Sequence, residues 1–270
     1  MIIGVSFVTA DGKEVKGGGR VVKNVAGYDF PKLMTGSMGT LGVITQMTLK
    51  VRPKPESSAL VAVEFDDNEA AIKAVEGLNT SSTRPVAIEL LNRAGGELVG
   101  LQRATAILVV AYEDNADSVA WQVARLQEEM RPREARLLDP SEFAKVWAGL
   151  AGFQALEAGP FSFVASFARS QAALFVGLTS STWAMRIHAG NGVVHAHYLN
   201  PVETAEQFFN DMSSNERALV DAITARCPTA WKQRHDIWGK PRGDWAIMEK
   251  IKQALDPASV MNPGRFVGTI

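Results

Sequence analysis

The sequence predicts an α+β protein in two parts. A glycine-rich block near the start runs straight into a β-branched stretch. A proline-punctuated linker follows at Arg52-Pro53-Lys54-Pro55, and beyond it strands and amphipathic helices alternate.

The first part opens extended. Ile2 to Thr9 reads as a strand from the second residue, Asp11-Gly12 is a hairpin turn signal, and Val15 resumes extended chain. A first strand with no lead-in suggests a sheet that began earlier in a longer ancestor. Gly17-Gly18-Gly19 reads as a loop, Tyr28 to Thr35 has room for a short helix, and Val43 to Val51 is a strand. Prolines two apart cannot sit inside a sheet, so the domain boundary is set at about residue 55.

After the linker, Leu60–Phe65, Val86–Leu91 and Ala106–Tyr112 read as strands. Asn68–Leu78 reads as a helix with Ala71, Val75 and Leu78 on one face, and Ala116–Met130 as another with Val119, Val123 and Leu126. This β-α-β-β-α-β rhythm predicts a ferredoxin-like sheet with helices on one face. Pro140–Leu150, Gln171–Thr179, Glu203–Arg226 and Trp245–Leu255 read as further helices and Phe161–Phe167 as a strand; no internal repeat stands out.

A chain of 270 residues can bury a real core, and 46% apolar residues with a net charge of −1 point to neither nucleic acid nor an anionic membrane surface. A single cysteine, Cys227, excludes an intrachain disulfide and a Cys-rich zinc site and fits a reducing compartment. No apolar run has the length of a bilayer span, so a cytoplasmic location is expected.

The block Gly36-Ser-Met-Gly-Thr-Leu-Gly-Val-Ile-Thr45 is backbone made bare, with hydroxyls beside it, so that something large and polar can lie against it. It is not a dinucleotide fingerprint, because its spacing is G-x-x-G-x-x-G and its order is loop then strand. It is not a P-loop either, since no Gly-Lys-Ser/Thr follows.

The stretch GGGRVVKNVAGYDFPKLMTGSMGTLGVITQMTLKVRPKP, from Gly17 to Pro55, resembles the second half of a PCMH-type FAD-binding domain of the vanillyl-alcohol-oxidase superfamily. Within that superfamily it is most similar to the FAD-linked, E-type subunits of bacterial glycolate oxidase. The tail from Asp256-Pro257 to Asn262-Pro263-Gly264-Arg265 is similar to the family's D-P-x-x-x-x-N-P-G-R/K ending. The resemblance implies FAD as cofactor, lined by Gly36, Ser37, Gly39, Thr40, Gly42, Val43 and Ile44 through backbone groups and the two hydroxyls. It implies Lys23, Asn24 and Asp29 flanking the site, and Asn262 where the returning tail packs near the flavin domain. The family's pyrophosphate loop would precede this block, so the chain reads as lacking the N-terminal half of the flavin domain.

A second constellation is Trp183 to Leu199. Asn191-Gly192 predicts a two-residue hairpin turn that pairs Gly190 with Val193 and sets His188 opposite His195. Strand alternation then gathers Arg186, His188, His195 and His197 on one face. Such a face could ligate a metal, hold a carboxylate, or be a solvated hairpin. The related D-type subunits carry a similar H-x-G-D-G-N-x-H with a glutamate from a later E-H-G segment. Here Asn191 replaces the acid and Arg234 the glutamate, so no metal is expected.

The third constellation, Trp231 to Trp245, reads as a cationic aromatic loop able to close over an anionic substrate, or as a surface loop whose cations stack on tryptophan. His235, by likeness to the family's histidine, is the candidate base.

The expected organisation is thus residues 1–55 as the second half of a flavin domain, 56–240 as a substrate-binding cap over the active face, and 241–270 as a helix and tail returning to the flavin domain. The resemblance implies an FAD-dependent oxidoreductase subunit acting on a small 2-hydroxy acid such as glycolate, with a D-type flavin subunit and an iron-sulfur subunit as partners and the inner membrane reached only through them. Arg186 and the histidines would hold the substrate carboxylate. The rival expectation is a truncated or non-catalytic subunit that serves as a docking module.

Overall fold

The computed structural model describes residues 1–21, 27–177, 182–202, 204–206 and 222–270, which fall into two compact units, Met1–Lys54 with Lys240–Ile270, and Pro55–Gly239.

The first unit is built on a three-stranded antiparallel sheet of order β2-β1-β3, from β1 (Ile2–Val8), β2 (Glu14–Gly18) and β3 (Val43–Leu49). Gly12 at φ 80° makes the β1–β2 turn, and the Thr9 hydroxyl donates to Asp11 within it. A short helix, Phe30–Met34, has Pro31 in its first turn and Asp29 as its N-cap, accepting from the Lys32 amide at 3.2 Å. Val5, Phe7, Met34 and Leu41 form the small core, and Ile251 and Leu255 pack on it from the helix Trp245–Leu255. The tail is therefore a structural part of this unit.

The second unit holds one antiparallel sheet of eight strands: β4 (Ser57–Phe65), β5 (Ala87–Asn92), β6 (Ala106–Asp114), β7 (Ala135–Leu137), β8 (Phe161–Ser166), β9 (Trp183–His188), β10 (Val193–Tyr198) and β11 (Ala222–Arg226). Their order is β11-β8-β10-β9-β5-β6-β4-β7. Strands β4 to β7 lie in the ferredoxin-like order fourth, first, third, second, as the alternating pattern predicts. Strands β8 to β11 repeat that order, a duplication that sequence periodicity did not reveal. The halves join antiparallel through their second strands, with Glu89 opposite His188 and Leu91 opposite Arg186.

Helices cover both faces of this sheet, not one. Asn68–Leu78 and Ala116–Glu129 pack on the face of Val61, Val63, Leu108 and Val110. Arg93–Val99 and Pro140–Gly152 pack on that of Leu60, Ala62, Ile107 and Val109. Burial on both sides explains why Leu60–Val63 and Ala106–Tyr112 are continuous apolar runs without alternation.

Three sequence expectations change. Ala222–Arg226 is a strand, not the end of a long helix, and residues 207–221 lie outside the described residues. Of the helix expected over 171–179, residues 178 and 179 lie outside the described residues, and the rest is a single turn, Arg169–Ala172, followed by a 3-10 turn, Ala173–Gly177. The β9–β10 hairpin pairs His188 with Val193 and Arg186 with His195, which makes a four-residue loop of Ala189–Gly192. Two of the loop amides, those of Asn191 and Gly192, donate to the His188 carbonyl, while the Gly192 carbonyl accepts from the Phe167 amide at 2.8 Å and draws the loop toward the end of β8. The register moves by two residues, so each side chain keeps its predicted face.

Candidate functional site

In the first unit the glycine-rich block is a tight turn between the helix Phe30–Met34 and β3. Gly36, Met38 and Gly39 have φ of 81°, 53° and 73°. A Cβ on Gly39 would stand 2.7 Å from Asn262 Nδ2, and one on Gly42 would stand 2.7 Å from the Val8 carbonyl, so both positions require glycine. Three of the loop's carbonyls are held by donors of the same unit. Ser37 O accepts from the Thr40 amide and hydroxyl at 2.9 and 2.7 Å, Met38 O from Asn262 Nδ2 at 2.8 Å, and Thr40 O from Lys252 Nζ at 2.8 Å. The exposed amides of Met38 and Gly39 have no backbone acceptor among the described residues. Successive amides left bare in left-handed backbone form a concavity suited to an anionic or carbonyl-rich group.

Two assigned roles shift. Thr40 is buried and its hydroxyl donates to Ser37 O, so it shapes the turn and does not offer a donor outward. Asp29 caps a helix and pairs with Lys32 at 2.8 Å, and that ammonium is the main reason its carboxyl sits below the usual range. Val43 and Ile44 are exposed on β3, and Ser37 is buried under the turn. Lys23 and Asn24 lie outside the described residues.

In the second unit Arg186, His188, His195 and His197 do share one face, at the seam between the two halves. Sequence reasoning missed the residue that organises them, Glu89. Its carboxylate, 3% exposed, accepts from Arg186 Nε at 3.0 Å, from Arg186 Nη2 at 3.1 Å and from His188 Nδ1 at 2.7 Å. Arg186 Nη1 donates to the Leu150 carbonyl. The guanidinium is thereby spent on internal acceptors, so Arg186 is not the free carboxylate clamp that was expected.

His197 is not available either: it is buried and donates through Nε2 to Phe153 O at 2.7 Å. Burial pushes its pKa down. His195 donates through Nδ1 to Gln154 Oε1 at 2.8 Å; burial first, and then the neighbouring His188 and Arg186, lower its pKa to about 4 and keep it neutral. His188 is the part-exposed member, its side chain 26% accessible, with its ring 5.1 Å from that of His195. Among the described residues no group of three or more His, Cys, Asp or Glu side chains can hold a metal ion, and the one carboxylate at this face is already countered by Arg186.

The Trp231–Trp245 stretch is divided between the units. Trp231 is buried against Phe161 in the core of the second unit, which corrects its reading as part of a surface loop. Arg234 pairs with Glu206 at 2.9 Å, and His235 Nε2 lies 3.5 Å from the same carboxylate. In the first unit Arg242 pairs with Asp244 at 3.2 Å. Two of the expected cations are thus already countered.

The family described as FAD linked oxidases, C-terminal domain, matches residues 54–227 and 238–266. The chain belongs to this family. It is 25% identical over 294 residues to the glycolate oxidase subunit GlcD of Bacillus subtilis, covering 98% of this chain and 63% of that protein. It is 43% identical over 75 residues to the glycolate oxidase subunit GlcE of Escherichia coli, 28% of this chain and 21% of that protein. A D-lactate dehydrogenase of Archaeoglobus fulgidus is 26% identical over 98% of this chain and 64% of its own length. The chain thus spans less than two thirds of the length of these curated relatives. Among solved structures, p-cresol methylhydroxylase with substrate bound aligns over 98% of this chain and 64% of its own, with a TM-score of 0.65 at 17% identity, which speaks to the fold alone.

The fold is therefore that of an FAD-linked oxidase, the C-terminal half of a PCMH-type domain with a ferredoxin-like α+β partner, and the family's cofactor is FAD. The first unit's turn fits such a group: the carbonyls of Ser37, Met38 and Thr40 are satisfied within the unit, and the exposed residues Met38 and Gly39 keep amides without a backbone acceptor among the described residues. Of the residues that build these sites, Glu89 and Lys252 escaped the sequence reading. Each carried a signal, a lone charge inside the apolar run Ala87–Leu91 and a Lys-Asp pair four apart at a helix end. Among the described residues no helix is long and apolar enough to cross a membrane.

Proposed function

We propose that this chain is an FAD-binding subunit of a glycolate oxidase-like complex that oxidises a small 2-hydroxy acid, with a D-type flavin subunit and an iron-sulfur subunit as its partners. The observation that carries the proposal is the pinned Gly36–Gly42 turn, with its bare amides at Met38 and Gly39, in a chain similar to both a GlcE and a GlcD subunit. The amides of the turn, the backbone at Gly36 and Ser37, and the exposed apolar edges of Val43 and Ile44 would hold FAD. Bound FAD would supply the two-electron acceptor for the substrate's α-hydrogen.

The chain's own residues would bind the acid and take its hydroxyl proton. His235, 3.5 Å from the Glu206 carboxylate, is assigned as base by its likeness to the family's histidine. His188, with Nδ1–H committed to Glu89, presents its other ring nitrogen and is assigned to the substrate.

The sealing of Arg186 by Glu89 favours a second reading, a non-catalytic subunit that docks its partners and turns nothing over. The test is a visible absorption spectrum of the purified chain with FAD, followed by anaerobic addition of glycolate or D-lactate, alone and with the partner subunits. Retained flavin that bleaches with the acid supports the first reading. Flavin that is retained but never bleaches leaves the docking reading, and no retained flavin even with partners present overturns the FAD assignment.

A further inference from the structure

Lys252 sits on the helix Trp245–Leu255 with its side chain only 6% exposed. Its ammonium donates in three directions: to Asp256 Oδ2 at 2.5 Å, to the Met261 carbonyl at 2.7 Å and to the Thr40 carbonyl at 2.8 Å. Asp256 is fully buried and also accepts from the amides of Val260 at 3.0 Å and Met261 at 2.8 Å. Burial alone would raise this carboxyl, but the ammonium and the two amides outweigh it and hold the pKa below the ordinary value. The residue after Met261, Asn262, donates to Met38 O.

Two side chains from the tail, Lys252 and Asn262, thus close on one turn more than two hundred residues away, and Asp256 holds the first of them in place. A buried ion pair is a poor way to gain stability, since well-packed apolar side chains serve as well. What an ammonium gives that a methyl cannot is direction. Three donors at fixed angles set where three acceptors point, and two of those acceptors are main-chain carbonyls of the tail and the glycine turn.

We infer that Lys252 is a positioning residue for the flavin site: aligned by Asp256, and together with Asn262, it ties the tail to the carbonyls of Thr40 and Met38, and so fixes the peptide planes of the turn in which the exposed Met38 and Gly39 carry amides without a backbone acceptor. The inference rests on the reading of this turn as part of an FAD site. Lys252 itself touches no cofactor and acts only through the turn. The rest of the buckle follows from the same need. Gly39 lacks a side chain because Asn262 occupies that space, and Asn262 at φ 42° is held in left-handed backbone so that its amide reaches Met38.

The test uses the full chain and compares wild type with the double variant Lys252→Met/Asp256→Asn and with Asn262→Ala. The double variant leaves no lone buried charge, but the Asn side chain has one oxygen where Asp256 uses two, so one of the Val260 and Met261 amides loses its acceptor and the melting temperature falls modestly while the fold is kept. It has lost the donors to Thr40 and Met261. Its FAD affinity falls on the order of tenfold, the scale on which residues that orient ligand-contacting groups act. The visible circular dichroism of the bound flavin changes, and amide exchange at residues 36–42 speeds up in the FAD-free protein.

Asn262 is exposed, so Asn262→Ala tests the same clamp without risk to the fold, and it decides the matter if the double variant does not fold. Wild-type affinity, flavin dichroism and exchange rates in a folded variant overturn the inference while the FAD reading stands. Failure of the wild type itself to bind FAD overturns the reading and the inference with it; faster exchange at residues 36–42 would then support only the clamp on the turn.

Discussion

Glu89 and Arg186 are worth most as a pair. Each is nearly enclosed; removing Glu89 leaves the Arg186 guanidinium without its carboxylate, and removing Arg186 leaves the buried Glu89 carboxylate with the His188 imidazole alone. Arg186→Met is therefore expected to lower unfolding free energy by about 3 kcal/mol in urea titrations, and Glu89→Leu/Arg186→Met to recover most of that. Equal losses in the single and double variants would argue against the pairing. His195 sets a pH signature at the same seam. Its folded pKa of about 4 lies below the ordinary 6.5, so the unfolded chain takes up the proton first and stability falls as pH drops from 6.5 toward 4. His197, also lowered by burial, acts with the same sign. Melting temperature against pH should therefore decline below 6.5 in wild type, and His195→Gln should decline less steeply. An unchanged slope in that variant would assign the pH dependence to other groups.

The elements legible in the sequence were those whose signals are local. Ala71, Val75 and Leu78 announce one helix and Val119, Val123 and Leu126 another, because a helix face repeats within a few residues. The helix Arg93–Val99 went unread for a physical reason: it carries Gly95 and Gly96, poor helix formers that the packing demands. A Cβ on Gly95 would overlap the Met185 carbonyl, and one on Gly96 would stand 2.6 Å from Ile107 Cδ1. Its cap, Asn92, also bridges strands, donating to Trp183 O and accepting from Met185 N, and residues about ninety positions apart leave no local trace. Glu89 showed locally only as a lone charge in an apolar run, since the groups that explain it, Arg186 and His188, lie on another strand. The candidate site was legible in its face and its glycine turn, which depend on alternation and composition, but not in the partners that hold it. Two glycine variants separate packing from propensity. Gly95→Ala should cost about 2 kcal/mol by overpacking. Gly77→Ala, with open space around its site in the helix Asn68–Leu78, should gain up to about 0.8 kcal/mol. Denaturant midpoints of the two variants, moving in opposite directions, are the check.

At the scale of the molecule, the two units differ in how the chain builds them. Pro55–Gly239 is continuous and carries large clusters on both faces of its sheet, so it contains all it needs to fold. The other unit is discontinuous: Val5, Phe7, Met34 and Leu41 are covered in part by Ile251 and Leu255, and the turn at Gly36–Gly42 is held by Lys252 and Asn262. Residues 1–54 alone bury too little apolar surface to offset the entropy of ordering them. Expressed separately, residues 55–239 should therefore give a dispersed amide NMR spectrum and a single cooperative thermal transition, and residues 1–54 should give neither. A permuted chain that joins 240–270 through a flexible linker to 1–54 should regain dispersion, and Lys252→Met in that permuted chain should lose it, because the lone Asp256 would then sit buried without its ammonium. A folded 1–54 fragment would show that the tail decorates this unit and does not build it. That result would also weaken the case that the tail shapes the glycine turn.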